Sequence, residues 1–259
     1  MRSSNTATTA VVLAMGGNEV GELVLNRPNR KNSLTPEVAK QLLAGLRTLE
    51  ADDAVKAIVL RGSGAFFCAG LDLKEMAKHR KETNSDGGFG EAWRVFHKAM
   101  YICSKPTICC LEGGAIAGGT GLALSADYII TDESAFFHVA EVNFGMAAPW
   151  NVIWLTLKFG AAAAMWLAVG GQRLDGTELE RRGIALRAVD GNALEESRAL
   201  AGLLAKNDGK AMRLNKEMIQ SVQLGDGGFD VMVDRVMGLA RAGGARGPPR
   251  PESRLKGRL

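Results

Sequence analysis

The stretch LEGGAIAGGTGLALSADY, residues 111–128, holds five glycines among its first eleven residues. Glycine loses more conformational entropy on folding than any other residue, so such a cluster marks backbone that turns sharply or approaches another group closely. The segment follows PTICCLEGG, whose apolar run predicts a buried strand, and it leads into a short apolar helix. A helix that starts at a glycine turn presents free backbone N–H groups and the positive end of its dipole.

A second turn of the same kind comes earlier in the chain. FFCAGLDLKEM, residues 66–76, follows the predicted strand VKAIVLRGSG and runs into a predicted helix. Two such helix starts, brought together, would form an anion site or an oxyanion hole for a carbonyl that becomes an enolate. Two ordinary tight turns would have the same composition, and the residues alone leave both interpretations open.

The rest of the chain alternates strands with helices, which predicts an α/β fold. AVVLAM and GELVLNRP form a predicted hairpin, and TPEVAKQLLAGLRTLEADD is an amphipathic helix with Thr35 as its N-cap and Pro36 in its first turn. The strand–turn–helix unit recurs at residues 55–80 and 106–126, which suggests a spiral of similar units. From Pro149 onward we predict mostly helix, with one strand near IALRAV.

We divide the chain into four parts on these signals. They are a flexible N-terminus at residues 1–9, a spiral core at 10–195, a helical region at 196–240 and a basic Gly/Pro-rich tail at 241–259. The tail reads as a solvated end, since termini are where disorder concentrates, and a contact with phosphate or an acidic partner is the alternative.

Composition excludes several classes of protein. The 259 residues carry a net charge of +4 with 6% aromatics, and the basic residues are spread, so nucleic acid is not indicated. No apolar run reaches the length of a secretion signal or a membrane span, which predicts a soluble, cytoplasmic protein. The four cysteines form no C-x-x-C pair, which predicts reduced thiols, and Cys109 and Cys110 should point to opposite faces of a strand.

Other catalytic chemistries find little support. The chain has no GxxxxGK[ST] phosphate loop, and Ser125 lacks the G-x-S-x-G setting of an activated nucleophile. His79, His97 and His138 are isolated in the sequence. His138 and Glu141 lie three residues apart without an obvious third ligand, so we predict no metal site.

Four stretches together resemble the crotonase family, the enoyl-CoA hydratase/isomerase superfamily. They are NRPNRKNSLTPEV, AIVLRGSGAFFCAGLDLKEM, KPTICCLEGGAIAGGTGLALSADYIITDESAFFHVAEVNFGM and GGQRLDGTELERRGIALRAV. They occur in the family's order and spacing, between about residue 10 and about residue 225. The resemblance implies a spiral of repeated ββα units with a C-terminal helical region, acyl-CoA thioester substrates, no cofactor beyond the coenzyme A of the substrate, and a homotrimer or hexamer.

The resemblance also implies roles for single residues. In the family, the residue after the glycine of CAGLD and the middle glycine of three in the glycine segment donate backbone N–H groups to the thioester oxygen. These positions are Leu71 and Gly118, and the family's first glycine of the three is Ala117 here. The positions that match the family's coenzyme A contacts, with Lys216 from the C-terminal region, are Lys31, Ala69, Gly70, Leu71, Asp72, Leu73, Lys74 and Lys216.

The chain departs from the family at a catalytic position. Family hydratases carry two glutamates, and the second is present as Glu141. Gly121 stands where the first would be, so no carboxylate can project from it; simple packing of Gly121 against a neighbouring backbone is the alternative. The loop after Gly145 is also bulkier than usual, with Trp150 and Trp154, which predicts a reshaped acyl pocket with Trp150 as a substrate contact. Because Glu141 lies in an apolar run, burial should raise its pKa.

These residues predict an enzyme that stabilises a thioester enolate and uses Glu141 as its single acid/base. By this resemblance, the family members with one glutamate include isomerases and hydratase-lyases that act on aromatic enoyl-CoAs. A crotonase-like protein without catalysis, acting in binding or assembly, including RNA binding, is the alternative from another class.

Overall fold

The computed structural model describes residues 9–15, 19–83, 89–224 and 228–243. Among these residues, six strands form one sheet in the order β1-β2-β3-β4-β6-β9, with β1 antiparallel to β2 and the other neighbours parallel. The strands are β1 Val11–Met15, β2 Val20–Leu25, β3 Ala57–Gly62, β4 Thr107–Leu111, β6 Tyr128–Asp132 and β9 Arg187–Val189. The α/β prediction and the N-terminal hairpin are therefore confirmed, although residues 16–18 of its turn lie outside the described residues.

A smaller sheet carries the glycine segment. It joins β5 (Gly114–Ile116), β7 (Phe136–His138) and β8 (Arg173–Asp175), with β5 parallel to β7 and β7 antiparallel to β8. The sequence did not predict β5 or β8 as strands, because three residues are too few to show the period of two on which a strand prediction depends.

The first helix of the described chain begins where its sequence signals predicted. Thr35 caps α1 by accepting a 3.2 Å hydrogen bond from the N–H of Val38, and Pro36 is the first helical residue. The helices are α1 Pro36–Ala51, α2 Leu73–Thr83, α3 Phe89–Ile102, α4 Gly118–Leu124, α5 Pro149–Ala164, α6 Gly176–Arg181, α7 Ala193–Leu204, α8 Gly209–Leu224 and α9 Gly228–Gly243. Pro28–Arg30 and Glu141–Phe144 form 3₁₀ turns, and Met165–Val169 a π-helical turn.

The large sheet is buried on both faces, as its apolar parallel strands require. One face belongs to the main core with α1 and α3, and α7 covers the other. Cys109 faces the main core and Cys110 the smaller cluster beneath α7, which confirms the predicted opposite orientation. All four cysteines are buried and free.

One stretch, Pro149–Val169, is long and apolar enough to cross a bilayer by length and composition, with a mean hydropathy of 1.7. Its first half packs in the core, where Ile153, Trp154 and Leu155 are buried, and Gly160 interrupts it with a φ of 81°. This packing accounts for the apolar composition of the first half without a membrane.

One predicted boundary lies inside a helix, and the two predicted terminal segments fall mostly outside the described residues. The boundary at residue 195 falls inside α7, which packs on β3, β4 and β6 and so belongs to the sheet that it covers. The predicted flexible N-terminus is described only at Thr9, and the predicted basic tail only up to Gly243.

Candidate functional site

The two glycine turns lie in contact. Gly70 has a φ of 79°, and a Cβ placed on it would lie 3.2 Å from the nitrogen of Gly118 and 2.6 Å from the carbonyl oxygen of Ile116. Only glycine permits both this conformation and this approach. The turns are also joined by a parallel bridge between Cys68 and Ala115. The backbone of the turn at Gly70 therefore packs against the start of α4.

Two backbone N–H groups at this contact, those of Leu71 and Gly118, take no part in the backbone hydrogen bonds around them. The N–H of Leu34 donates to the carbonyl of Gly70 and the N–H of Asp72 donates to the carbonyl of Leu34, so this bridge does not use the N–H of Leu71. Gly118 is the first residue of α4, where the helix itself offers no acceptor to the N–H. The positions that the resemblance assigns to the oxyanion donors are thus brought to one place.

Ala117, which precedes Gly118, holds a strained conformation. Its φ of 52° and ψ of −119° lie in a region that residues with a Cβ rarely adopt. Its carbonyl accepts hydrogen bonds from the N–H groups of Thr120 and Gly121 and from the side-chain amide of Asn151. The Thr120 hydroxyl contacts both this carbonyl and Oδ1 of Asn151, which share its single hydrogen. Strain held by surrounding bonds is a common feature of functional sites, where it fixes a backbone group in position.

Glu141 begins a 3₁₀ turn beside this contact, and its side chain is buried. Its Oε1 accepts a 3.0 Å hydrogen bond from Nδ2 of Asn151, whereas its Oε2 is buried and has no hydrogen-bond partner among the described residues. Burial raises the pKa of Glu141 to about 7, against smaller lowering effects of its own backbone N–H and of Asn151. The predicted direction of the pKa shift is confirmed, and near neutral pH such a carboxyl can both take and give a proton.

Asn151 lies between Glu141 and Gly121. A Cβ on Gly121 would lie 3.7 Å from both the backbone nitrogen and Oδ1 of Asn151, and 3.1 Å from Cβ of Trp150. Besides binding Glu141, Asn151 donates to the carbonyl of Ala117 at 3.0 Å, and its Oδ1 accepts from the Thr120 hydroxyl at 2.7 Å. An amide therefore occupies the space beside the missing carboxylate.

Aromatic rings back this arrangement. Trp150 is half-buried and stacks on His97, with ring centroids 4.1 Å apart, and the indole N–H of Trp154 donates to Nδ1 of His97 at 3.0 Å. Burial lowers the pKa of His97 to about 3, so the imidazole is neutral and Nδ1 is the acceptor. Trp154 is buried in the core, as predicted, and Trp150 is the ring nearest Gly121.

The predicted coenzyme A strip lies on one side of the two turns. The N–H of Ala69 donates to the carbonyl of Lys31 at 2.9 Å, which brings these two positions together. Asp72 is engaged within the protein, because it pairs with Arg27, accepts from the Ser33 hydroxyl and caps α2 through the N–H of Glu75. Two further positions of the strip are exposed on the first turn of α2, Leu73 and Lys74.

The structure does not bring Lys216 to this site. Its ammonium donates to Oδ2 of Asp127 at 2.7 Å and to the carbonyl of Lys105 at 3.1 Å, next to the start of β4 and β6, whereas the glycine segment follows the end of β4. There it lines a cavity of about 390 Å³ between α8 and the core. We therefore withdraw Lys216 as a coenzyme A contact within one chain, because a family resemblance in this helix does not fix which way its side chains face.

Sequence reasoning missed Asn151, Thr120 and Arg27. Asn151 follows the proline that starts α5, inside the stretch GMAAPWNVIWLTL, and it is the one residue of that stretch with a side-chain amide. A lone amide in an apolar first turn was the signal available for it, since a buried polar group needs hydrogen-bond partners. In the part of the chain that the structure describes, no group of three or more His, Cys, Asp or Glu side chains is placed to hold a metal ion.

The chain is similar in sequence to known enoyl-CoA hydratases and isomerases. The sequence model of the enoyl-CoA hydratase/isomerase family matches residues 16–224. A putative enoyl-CoA hydratase of Thermus thermophilus is 38% identical over 204 residues, which are 77% of this chain and 80% of the relative. A 1,2-epoxyphenylacetyl-CoA isomerase of Escherichia coli is 32% identical over 207 residues, covering 78% of each chain.

Solved structures with the same fold include a putative enoyl-CoA hydratase/isomerase of Mycobacterium abscessus. It has 26% sequence identity and a TM-score of 0.77, and the match covers 92% of this chain and 93% of that one. A probable enoyl-CoA hydratase of Mycobacterium thermoresistibile has 25% identity and a TM-score of 0.76 over 91% and 95% of the two chains. The predicted crotonase-like architecture is therefore confirmed.

Proposed function

Because the chain belongs to the enoyl-CoA hydratase/isomerase family, we propose that it stabilises the enolate of an acyl-CoA thioester with two backbone N–H groups and one carboxyl. In this proposal the N–H groups of Leu71 and Gly118 hold the thioester oxygen as charge develops on it. Glu141 removes a proton from, or returns one to, a carbon next to the thioester or conjugated with it. A donor of this kind contributes roughly 10²–10³ in rate.

The observation that carries the proposal is the state of Glu141. Its side chain is buried, one of its oxygens has no hydrogen-bond partner among the described residues, and burial raises its pKa to about 7. A buried polar atom without a partner is unusual in a stable core, where it costs about 1–3 kcal/mol. A group that exchanges protons with a bound substrate needs such an atom, so the arrangement favours catalysis over packing.

Within the family we favour proton transfer between two carbons over two-glutamate hydration. Gly121 supplies no carboxylate, and the relatives named above include both hydratases and an isomerase, so family membership does not choose between these reactions. Hydration followed by carbon–carbon cleavage of an aromatic enoyl-CoA is the second candidate. The stacked pair of Trp150 and His97 beside Gly121 favours it, because flat rings would match an aromatic acyl group.

The test is Glu141→Gln, with Glu133→Gln as the matched control because Glu133 is an exposed glutamate. Isomerisation of a 3-enoyl-CoA, hydration of crotonyl-CoA and turnover of an aromatic enoyl-CoA are assayed for each protein. We expect Glu141→Gln to lower kcat on the best substrate about 10²–10⁴-fold while KM stays within a few-fold, because the oxyanion donors are untouched. Equal kcat in the parent and Glu141→Gln would remove Glu141 as the acid/base.

A non-catalytic binding role predicts the opposite pattern. A protein of that kind would turn over none of these thioesters, and if it bound RNA its affinity would fall steeply as salt is raised. Titration with acetoacetyl-CoA, and with RNA over a salt series, separates the two. We expect saturable binding of the thioester and no salt-dependent RNA complex.

We further propose a cytoplasmic homotrimer or hexamer. The two C-terminal helices leave large apolar side chains exposed, and a patch of such side chains often marks an interface with another chain. They are Leu214, Met218, Ile219, Val222, Val231 and Leu239. Light scattering at micromolar concentration should report at least three copies, and a monomer would contradict the proposal.

A further inference from the structure

The two oxygens of Glu141 are not equivalent. Oε1 accepts a 3.0 Å hydrogen bond from Asn151, and Oε2 is buried without a partner in the described structure. If the carboxyl rotated freely, either oxygen could face a substrate and the two would not differ in their hydrogen bonds. The bond to Asn151 is the side-chain contact that sets it.

The amide of Asn151 has no hydrogen left for any other partner. An amide nitrogen carries two hydrogens, and here one is directed to Oε1 of Glu141 and the other to the carbonyl of Ala117. Its oxygen accepts from the Thr120 hydroxyl. The reverse orientation of the amide would point its oxygen at the carbonyl oxygen of Ala117, so the contacts themselves select the orientation in which Nδ2 faces both acceptors.

We propose that Asn151 is the positioning residue of this site: it ties Oε1 of Glu141 to the carbonyl of Ala117 and leaves Oε2 as the oxygen that exchanges protons with substrate. The proposal rests on the function proposed above. Asn151 joins the carboxyl of Glu141 to Ala117, the strained residue that precedes Gly118. A single side chain therefore sets both the oxygen that transfers the proton and the backbone of an oxyanion donor.

This position also explains why Asn151 does not replace the missing second carboxylate in a hydratase. The missing carboxylate could take a proton from water, whereas a neutral amide is too weak a base to do so. Both amide hydrogens of Asn151 are directed to Glu141 and Ala117. Asn151 therefore orients Glu141 without supplying a second base, which favours proton transfer between carbons.

The groups around Glu141 leave its ionisation sensitive to this one bond. Burial, its own backbone N–H and Asn151 act on its pKa, and among the described residues no charged side chain contributes. Two histidines lie on elements packed near Glu141. His97 is neutral and stacks on Trp150, and Nε2 of His138 faces the carbonyl of Gly171 and the amide of Asn143.

The test compares Asn151→Ala with Asn143→Ala. Asn143 is exposed on the same 3₁₀ turn as Glu141, and its amide contacts His138 instead of the carboxyl. Loss of a hydrogen bond to the ionised carboxylate raises its pKa, so in Asn151→Ala the rising limb of the kcat–pH profile should move up by about one pH unit. At pH 7 kcat should fall about fivefold with KM within twofold, because the ionised fraction of Glu141 falls from about one half to about one eleventh, whereas Asn143→Ala should keep the parent profile.

Asn151→Asp keeps the shape of the side chain and covers the case in which the alanine variant fails to fold. It places a second carboxyl against Oε1, and two carboxyls at that distance do not both ionise readily, so the limb should move further up than in Asn151→Ala. Thermal unfolding of each variant confirms that the compared proteins are folded.

The outcomes separate this inference from the proposed function. If Glu141→Gln is inactive while both Asn151 variants keep the parent kcat–pH limb, Asn151 is not the positioning residue and Glu141 still is the acid/base. If Glu141→Gln is fully active, the proposed function itself fails. A fall in kcat of the Asn151 variants that is equal at every pH would assign to Asn151 a merely structural role and overturn the inference.

Discussion

Two buried glutamates of this chain have opposite electrostatic surroundings. Glu22, on β2, is fully buried, and its two oxygens accept hydrogen bonds from Arg61 at 2.7 Å and Arg198 at 2.5 Å. Burial alone would raise its pKa, but the bonds and charges of the two arginines outweigh burial and lower it. Glu141 has one amide donor and no cation, so burial prevails and its pKa rises to about 7.

The difference shows what separates a structural carboxyl from a reactive one. Both are buried, so burial does not decide; the number and charge of the donors does. Glu22 is ionised at neutral pH, and each of its oxygens is paired with an arginine. Glu141 has an unpartnered oxygen and an ionisation poised at working pH. Three substitutions test this comparison, from the largest expected effect to the smallest.

Glu22→Gln should destabilise the fold by about 3 kcal/mol at pH 7, because it leaves two guanidinium groups without the carboxylate that pairs them. The arginines are 20% and 37% exposed and regain some hydration, which keeps the loss at the lower end of what breaking a buried pair costs. Urea unfolding measures it. A loss below about 1 kcal/mol would show that the pair contributes no more than an exposed one.

Glu141→Gln should instead stabilise the fold, by about 3 kcal/mol at pH 8, which is the free energy that this pKa shift carries there. The folded pKa of about 7 lies above the ordinary value of 4.5, so the folded state of the parent binds the proton more tightly. Parent stability therefore falls as pH rises from 4.5 through 7, while glutamine does not titrate. The gain should vanish near pH 4.5; an equal gain at both pH values would mean that ionisation is not its cause.

Arg198→Gln moves Glu22 part of the way toward the situation of Glu141. It removes one of two cations and should cost about 1 kcal/mol at neutral pH, because Arg198 is partly exposed. The folded pKa of Glu22 is lowered, so this contribution is present above pH 4.5 and is lost as pH falls through the folded pKa. A stability difference that persists undiminished at pH 2 would contradict the assignment to this ion pair.

Much of the fold could be predicted from the sequence, because its signals are local. Short apolar runs, LVL, AIVL and ICCL, predicted β2, β3 and β4, and Thr35 with Pro36 predicted the start of α1. The short strands β5 and β8 could not be predicted, since they are held by pairing with β7 and not by a pattern of their own. The resemblance supplied the architecture, which the solved relatives confirm.

The site divides in the same way. Leu71, Gly118 and Glu141 carry sequence signals, and the structure brings the two glycine turns and Glu141 to one place. The role of Asn151 depends on contacts with residues 10, 31 and 34 positions away, which no local pattern encodes. Lys216 was assigned to the site by resemblance alone, and its side chain points to Asp127 at the other end of β4.

The central claim is that Glu141 moves a proton at the carbon next to a thioester held by Leu71 and Gly118. Exchange of that proton with solvent deuterium tests the claim directly. In a saturated acyl-CoA this exchange requires only that the enolate forms, whichever overall reaction the enzyme catalyses. In the parent and in Glu133→Gln we predict equal exchange, and in Glu141→Gln exchange slower by about 10²-fold or more. Exchange in Glu141→Gln at the parent rate would contradict the account.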